Sequence, residues 1–553
     1  MHPASAPPAA GIVRHAIDVR RFAWIRPLVS AYASDFNRVA SLFAGNPADP
    51  AAWKDTIARV QKSAHDRTAI ARIVSAQLER RGAHTHARAV AGRLADPGTV
   101  AVVTGQQAGV FGGPLYTLLK AITAIQLARK VSAKHGVAAI PVFWVESEDH
   151  DWDEVRTARV LDADLNLAEV SLGHLDGAGE RPVSTLTLDE SIHAALGSLE
   201  ATLPKTEFTD ELIARLRQHY RPGQRMGQAF AAWIDDLLGR HGLVVYEASD
   251  PAAKPLVAEL FRKELEQPCH TAALAKETGE AMRQLGHTPQ VEPGEDSVAL
   301  FYLGTGARQS IKRRDGGGFL SGEAAFDADA LKQEALTHPE RFSPNVLLRP
   351  VVQDRLFPTI CYVAGPSELA YQAQLGGIYH AFGVEVPLLY SRASATLLDA
   401  AALRFLDRSH LPLESLHETG ETALNKLLES QLPPTLEPGL EDLVREVADR
   451  LDVLKGVIAK VDPTLTGAAD TTRERMQETV KTLHGKIIHA SKKKDETLRR
   501  QFTKTQALAF PGGEPQERVV DLPFFVNRYG QAVVDRLLEG LPLDMAQHYV
   551  ICL

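Results

Sequence analysis

A chain of 553 residues can hold a large core with one or two attached modules, and its hydrophobic fraction of 44% and charged fraction of 24% are those of an ordinary globular protein. The net charge of -8 argues against a nucleic-acid partner, because binding phosphate backbones shows as a basic excess. Three scattered cysteines, Cys269, Cys361 and Cys552, fall outside any CxxC or Cys/His spacing and indicate neither a disulfide framework nor a structural zinc site.

The opening "MHPASAPPAAGIVRH" has no apolar run behind its few basic residues, and no later stretch reaches the roughly 20 continuous apolar residues of a membrane span. The expectation is a cytoplasmic protein without a membrane partner. From Pro27 to Ala95 apolar residues recur three and four apart, so residues 1–97 read as an N-terminal helical part of a core. The character then changes. Thr99 to Thr104 predicts a strand, Gly105 to Gly113 a glycine-rich loop, and Pro114 opens a long helix that ends near Gly136. "VAAIPVFWVE" supplies the next strand, Pro141 to Val145, and completes a βαβ unit with buried parallel strands.

Further apolar runs at Leu243 to Tyr246, Thr359 to Ala364 and Val384 to Tyr390, with a helix from Pro366 to Phe382, continue the alternation. The fold class is therefore α/β, an open parallel sheet spanning residues 98–433 with inserts near 161–205 and 269–344. Beyond Pro434, Leu440, Leu443, Val447, Leu451, Leu454, Ile458 and Val461 fall three or four apart, and so do Met476, Val480, Leu483, Ile487 and Ala490. Residues 434–505 read as an antiparallel coiled-coil arm, its second helix running through "SKKK" to Phe502, with 506–553 returning to the core.

Ligands of an open parallel sheet bind outside the carboxyl ends of its strands. There the stretch "PVFWVESEDHDWDE" turns from an apolar strand into six acids, a histidine and a tryptophan, which makes Glu148, Asp149 and His150 candidates for chemistry. A solvated loop would have no use for the histidine and tryptophan. Glu148, Asp149, His150 and Asp151 also offer metal ligands, but adjacent side chains diverge and no second ligand cluster is visible, so no metal is assigned.

The loop "TGQQAGVFGG", with Gly105, Gly109, Gly112 and Gly113, can present amides to an anion at a helix N-terminus, or simply let helix pack on strand. It matches neither GxGxxG nor a Walker loop. Gln106 and Gln107 can each donate and accept hydrogen bonds to a ligand. "GPSELAYQAQL" repeats the arrangement with Ser367, Glu368 and Tyr371, where a helix cap explains the first two equally well. Arg349, Gln353 and Arg355 ahead of one strand, and Ser391 and Arg392 after the next, suit carboxylates or phosphates. Late in the chain Arg518, Asn527 and Tyr529 beside Phe524 and Phe525 suit a nucleotide held where the arm meets the core, or the packing of a chain end.

Together "TGQQAGVFGGPLYTLLK", "FWVESEDHDWDEV", "LRPVVQDRLFPT", "GPSELAYQAQL" and "PQERV" resemble, in content and order, the blocks of the bacillithiol biosynthesis cysteine-adding enzymes, the BshC family. The resemblance implies a Rossmann-like core akin to nucleotidyltransferases and class I aminoacyl-tRNA synthetases, connecting-peptide inserts, and a coiled-coil domain supporting a homodimer. It implies a ligase that adds L-cysteine to the amine of glucosaminyl malate. ATP or another adenine nucleotide would activate the cysteine carboxylate, although no HIGH-type, KMSKS-type or other clear lysine signature is present. In that scheme the glycine loop with Gln106 and Gln107 holds nucleotide phosphate or the acyl group. His150 or Asp149 takes the amine proton, and Arg349, Arg355 and Arg392 meet the malate carboxylates. A nucleotidyltransferase on the same core, or a nucleotide-binding scaffold with an interaction arm, are the alternatives.

Overall fold

Strand β1, Val100–Gln107, alternates between two cores. Val100 and Val102 pack with Ile57, Leu127 and Val131, while Ala101 and Val103 belong to the cluster of Ile73, Leu348 and Phe357. Burial on both faces belongs to the interior of a parallel sheet, and the computed structural model, which describes residues 11–304, 306–417, 422–430, 433–494 and 496–553, has one. Its other strands are β2 (Ala139–Glu146), β3 (Val244–Glu247), β4 (Thr359–Ala364) and β5 (Leu388–Ser391), in the order β5-β4-β1-β2-β3 with every adjacent pair parallel. The chain leaves β1 toward β2 and β3, then returns to β1's other side at β4. That reversal opens a crevice at the carboxyl ends of β1 and β4. The first ten residues, read above for a leader, lie outside the described residues.

Helix α1, Leu115–His135, connects β1 to β2 and ends on Gly136 at φ 66°, a left-handed cap suited to glycine. Met226–Leu238 (α2) precedes β3, Arg349–Leu356 (α3) precedes β4, and Pro366–Gln372 (α4) with Gly376–Phe382 (α5) link β4 to β5. The single helix expected over Pro366 to Phe382 is thus two. At the break Gln374 turns inward, accepting from the Gln290 and Val291 amides and donating to the Ala275 and Val291 carbonyls.

β1 also runs three residues further than its apolar stretch. Gly105, Gln106 and Gln107 pair with Trp144, Val145 and Glu146 of β2, so the glutamines sit on a strand end and not in a loop. Gly105 permits this, since a Cβ there would lie 2.6 Å from the Trp144 carbonyl oxygen. A second sheet, antiparallel throughout, is built from Ser297–Tyr302, Gln309–Arg313, Phe319–Ser321, Ala324–Phe326 and Phe342–Pro344. The last strand, Gln547–Cys552, pairs antiparallel with Val13–Asp18.

The chain divides into two compact units, 1–397 with 516–553, and 398–515. The second holds Leu436–Val461 (α6), Thr466–Lys494 (α7) and Glu496–Ala509 (α8). Among the described residues no helix is long and apolar enough to cross a membrane.

Candidate functional site

The crevice between β1 and β4 is organised by a lysine that the sequence reading passed over. Lys120, one turn into α1 and nearly fully buried, donates to the Gly105 carbonyl at 2.8 Å and to Gln106 Oε1 at 3.0 Å, and pairs with Glu368 at 2.5 Å. Its three protons are thereby used. Gln106 is left with its amide nitrogen toward the Tyr116 hydroxyl, 3.3 Å away. Glu368 also accepts from the Gly365 amide and the Tyr362 hydroxyl, so it caps α4 as the sequence allowed. Burial works against its charge, but Lys120 together with the Gly365 and Tyr362 hydrogen bonds outweighs burial and holds the carboxyl below the usual range.

Beside this pair stands Arg349 at the first turn of α3. It donates to Gln353 Oε1 at 3.1 Å and to the Tyr371 hydroxyl at 3.0 Å, and no carboxylate among the described residues lies within ion-pair distance of it. Burial opposes its charge, yet the nearby Tyr371, Tyr362, Glu146 and Glu368 raise its pKa, so it stays a cation. Gln353 is itself fully buried between Arg349 and Asp354 and orients the guanidinium without facing the crevice.

At the end of β2 the acids divide into two kinds. Glu148 is buried in an ion pair with Lys254, which also donates to the Phe342 carbonyl at 3.0 Å. Burial pushes the Glu148 carboxyl upward against the pull of Lys254. Expected as a catalytic group, Glu148 instead ties the loop to the antiparallel sheet. Asp149 remains nearer the surface. Its Oδ2 accepts from Gln107 at 2.9 Å, and its Oδ1 accepts from the His150 amide at 2.8 Å and from Arg308 at 3.2 Å. Burial would raise its carboxyl, but Arg308 and these hydrogen bonds outweigh burial and lower it, which makes Asp149 a weak base. Backbone bonds from Val183 to Asp149 and from Ser184 to Ser147 hold the loop in place, so it is not a free solvated turn. His150 faces Arg308 through Nδ1 at 3.2 Å.

Other expected groups lie elsewhere or are spent. In the glycine loop Val110, Phe111 and Gly112 are buried, the Leu115 amide at the helix start donates to Val520, and the Leu522 amide donates to Gly113. The chain's own C-terminal segment thus packs against this loop and takes one of its helix-start amides, and Gly105 and Gly112 stand where a Cβ would clash with neighbouring atoms. Arg355 lies six residues past Arg349 on one helix, about 9 Å along its axis, and so reaches the opposite edge of the sheet. There it donates to Ala64 and lines a separate cleft of about 290 Å³ with Arg59 and His65. Arg392 is buried in a 2.8 Å ion pair with Glu517 of the "PQERV" block, Ser367 is exposed at the start of α4, and Ser391 ends β5 half-buried. Arg518 is exposed, and Asn527 is buried with its amide on the Pro204 carbonyl, so Asn527 fixes a chain end to the first insert. Tyr529, half-buried, has the Arg528 guanidinium 5.8 Å from its ring. Among the described residues no group of three His, Cys, Asp or Glu side chains is placed to hold a metal ion.

The order of blocks, the parallel sheet and the separate helical unit are matched by two family models. One, described as Bacillithiol biosynthesis BshC, N-terminal Rossmann-like domain, covers residues 15–393, and the other, Bacillithiol biosynthesis BshC, C-terminal coiled-coil domain, covers 395–553. The chain belongs to the BshC family. Residues 15–393 of its α/β unit match the family's Rossmann-like domain, while the helical unit and residues 516–553 fall within the stretch matched by the coiled-coil domain. A protein of Salinibacter ruber (strain DSM 13855 / M31) named "Putative cysteine ligase BshC" is 34% identical over 528 residues, 94% of this chain and 95% of that one. One of the same name from Koribacter versatilis (strain Ellin345) is 33% identical over 491 residues, 89% and 90%.

Proposed function

We propose that this chain is a carbon–nitrogen ligase that joins the carboxyl of L-cysteine to the amine of glucosaminyl malate, completing bacillithiol. Its relatives carry the name of cysteine ligases, and the bacillithiol family models span it. The observation that carries the reading is Arg349, a guanidinium at the switch-point crevice whose partners are neutral side chains. A cation with no carboxylate of the described residues in ion-pair contact can take an anionic substrate, and its fork suits a carboxylate of the malate moiety.

Amide formation from a free carboxylate needs an activated acyl group. The amine then adds to the acyl carbon, the carbon–nitrogen bond forms as the bond to the leaving group breaks, and the amine gives up one proton. Gln106 and Tyr116 face the crevice from the β1 side and would orient the acyl oxygen. Asp149, held low by Arg308 and its hydrogen bonds, is poorly matched to receive that proton, and no residue is assigned to it. ATP is proposed as the activating co-substrate, with no residue assigned to it.

Mass spectrometry of the full chain incubated with cysteine, glucosaminyl malate and ATP, each omitted in turn, tests the reading. A product equal in mass to both substrates less one water is expected only with cysteine and glucosaminyl malate present. Arg349→Gln should raise KM for glucosaminyl malate by roughly ten- to a hundredfold, as a lost hydrogen bond to a charged group does. Nucleotide consumed equally without cysteine would point to a nucleotidyltransferase instead.

A further inference from the structure

Arg308 reaches the acidic loop from the antiparallel insert, nearly 160 residues further along the chain. Its side chain is 8% exposed, with the guanidinium centred 3.6 Å from the Phe301 ring and 3.2 Å from Ser343 Oγ. One of its nitrogens lies 3.2 Å from Asp149 Oδ1 and 3.2 Å from His150 Nδ1. A guanidinium only donates, and it keeps its protons at any working pH. The ring nitrogen it faces must therefore present a lone pair.

The same Nδ1 is 3.3 Å from Asp149 Oδ1, where a proton on Nδ1 would also find an acceptor. One nitrogen cannot satisfy both neighbours, and the surroundings decide between them. Both Asp149 oxygens already accept hydrogen bonds, Oδ1 from the His150 amide and Arg308, and Oδ2 from Gln107. Asp149 does not need the imidazole proton. Arg308, held by Phe301 and Ser343, cannot turn from the ring without losing those contacts. A proton on Nδ1 would point at a fixed cation.

We infer that Arg308 is a positioning residue that locks His150 in the neutral Nε2–H tautomer, so that His150 meets the substrate as a hydrogen-bond donor and not as the general base. The histidine side chain is 37% exposed, and no hydrogen bond joins Nε2 to another of the described residues, so this N–H is left to a ligand or to water. In the ligation proposed above, its target is the acyl oxygen that gains negative charge as the amine adds to the carbonyl carbon. A preorganised donor at that position acts as one arm of an oxyanion hole. The substrate role rests on the ligation reading; the tautomer does not.

Full-length protein labelled with ¹⁵N-histidine, studied without substrate at pH 8 by long-range proton–nitrogen correlation, tests the lock. The His150 signals are assigned by their disappearance in His150→Gln. The wild type and Arg308→Lys, which retains a donor, should show a protonated Nε2 and a bare Nδ1. Arg308→Met removes the donor and should move the proton to Nδ1, toward Asp149. A protonated Nδ1 in the wild type overturns the inference, and an unchanged tautomer in Arg308→Met removes the role of Arg308. In turnover assays His150→Gln, which keeps an N–H near Nε2, should stay within about tenfold of wild type, while His150→Ala loses about a hundredfold, as for a missing oxyanion donor. Equal losses in the two variants would overturn the donor role. Absence of turnover in the wild type would sink the ligation reading and leave the tautomer measurement standing.

Discussion

Gly112 has a φ of 106°, and a Cβ added there would lie 2.9 Å from both Trp233 Nε1 and Leu522 Cδ1. Neither neighbour can give way freely, because Trp233 is bonded to the Phe111 carbonyl at 3.0 Å and Leu522 belongs to the segment that caps α1. The glycine is demanded twice, by its backbone angle and by its space. Gly112→Ala should therefore lower unfolding free energy by roughly 2–4 kcal/mol in urea titrations. A selective loss of ligand affinity at unchanged stability would return the loop to the role of ligand cradle. The example also shows what a sequence hides at this scale. A glycine-rich turn says that something approaches the backbone closely, and it does not say whether that is a phosphate or a tryptophan from the same chain.

The joint between the C-terminal segment and the sheet is a polar clasp with a buried histidine in it. Glu517 accepts from Arg392, Ser394 and the Ala395 amide, while His548 contacts Ser394 Oγ at 2.8 Å and Thr396 Oγ1 at 2.9 Å. Burial drives the His548 pKa down to about 4, against the attraction of Glu517. The folded state then binds this proton less tightly than the unfolded chain, whose histidines titrate near pH 6.5. Stability from this site is complete above pH 6.5 and is lost as pH falls toward 4, by about 1.4 kcal/mol per pH unit and about 3 kcal/mol in all. His548→Gln should flatten the wild-type pH dependence of the urea midpoint by that slope, and equal slopes would remove His548 as its source. The sequence made the β1–α1–β2 unit legible because apolar run, Pro114 and Gly136 mark strand, start and stop in order. It also placed the acids correctly at the end of β2. It could not show Lys254, Arg308 or Glu517, since each joins the site or the clasp from over 100 residues away. Lys120 had a local signal: it is the first charge in the apolar face "LYTLLKAITAIQ" and a lysine there has to be paired inside. Arg349 and Arg355 look equivalent in the sequence, and the helix that joins them carries Arg355 away from the crevice.

In the unit formed by residues 398–515, α6 and α7 pack on one another with ion pairs from Lys455 to Asp470 and from Arg473 to Asp452. The hairpin does not consume its own apolar surface. No residue of α6 is buried, and Val453, Leu454, Val457 and Val461 are exposed, Val461 by 81%. A two-helix hairpin needs one seam, whereas the apolar positions along α6 continue beyond it, with Leu443 on α6 and Met476 and Leu483 on α7 exposed as well. Exposed apolar side chains in this number on a helical arm are costly in water, and we propose that they meet a second copy of the same hairpin through a two-fold interface of about 800 Å² or more per chain. Wild-type protein should therefore scatter light as a particle of twice the chain mass. Val457→Glu combined with Val461→Glu places two charges in the seam and should shift the mass to that of one chain, with the helical circular dichroism retained. Replacing Leu440 to Phe502 by a short flexible linker should give the same monomer while the α/β unit unfolds at an unchanged urea midpoint. A dimer that persists in both variants would put the interface on the Rossmann-like unit and leave the apolar stripe of α6 without an assembly role.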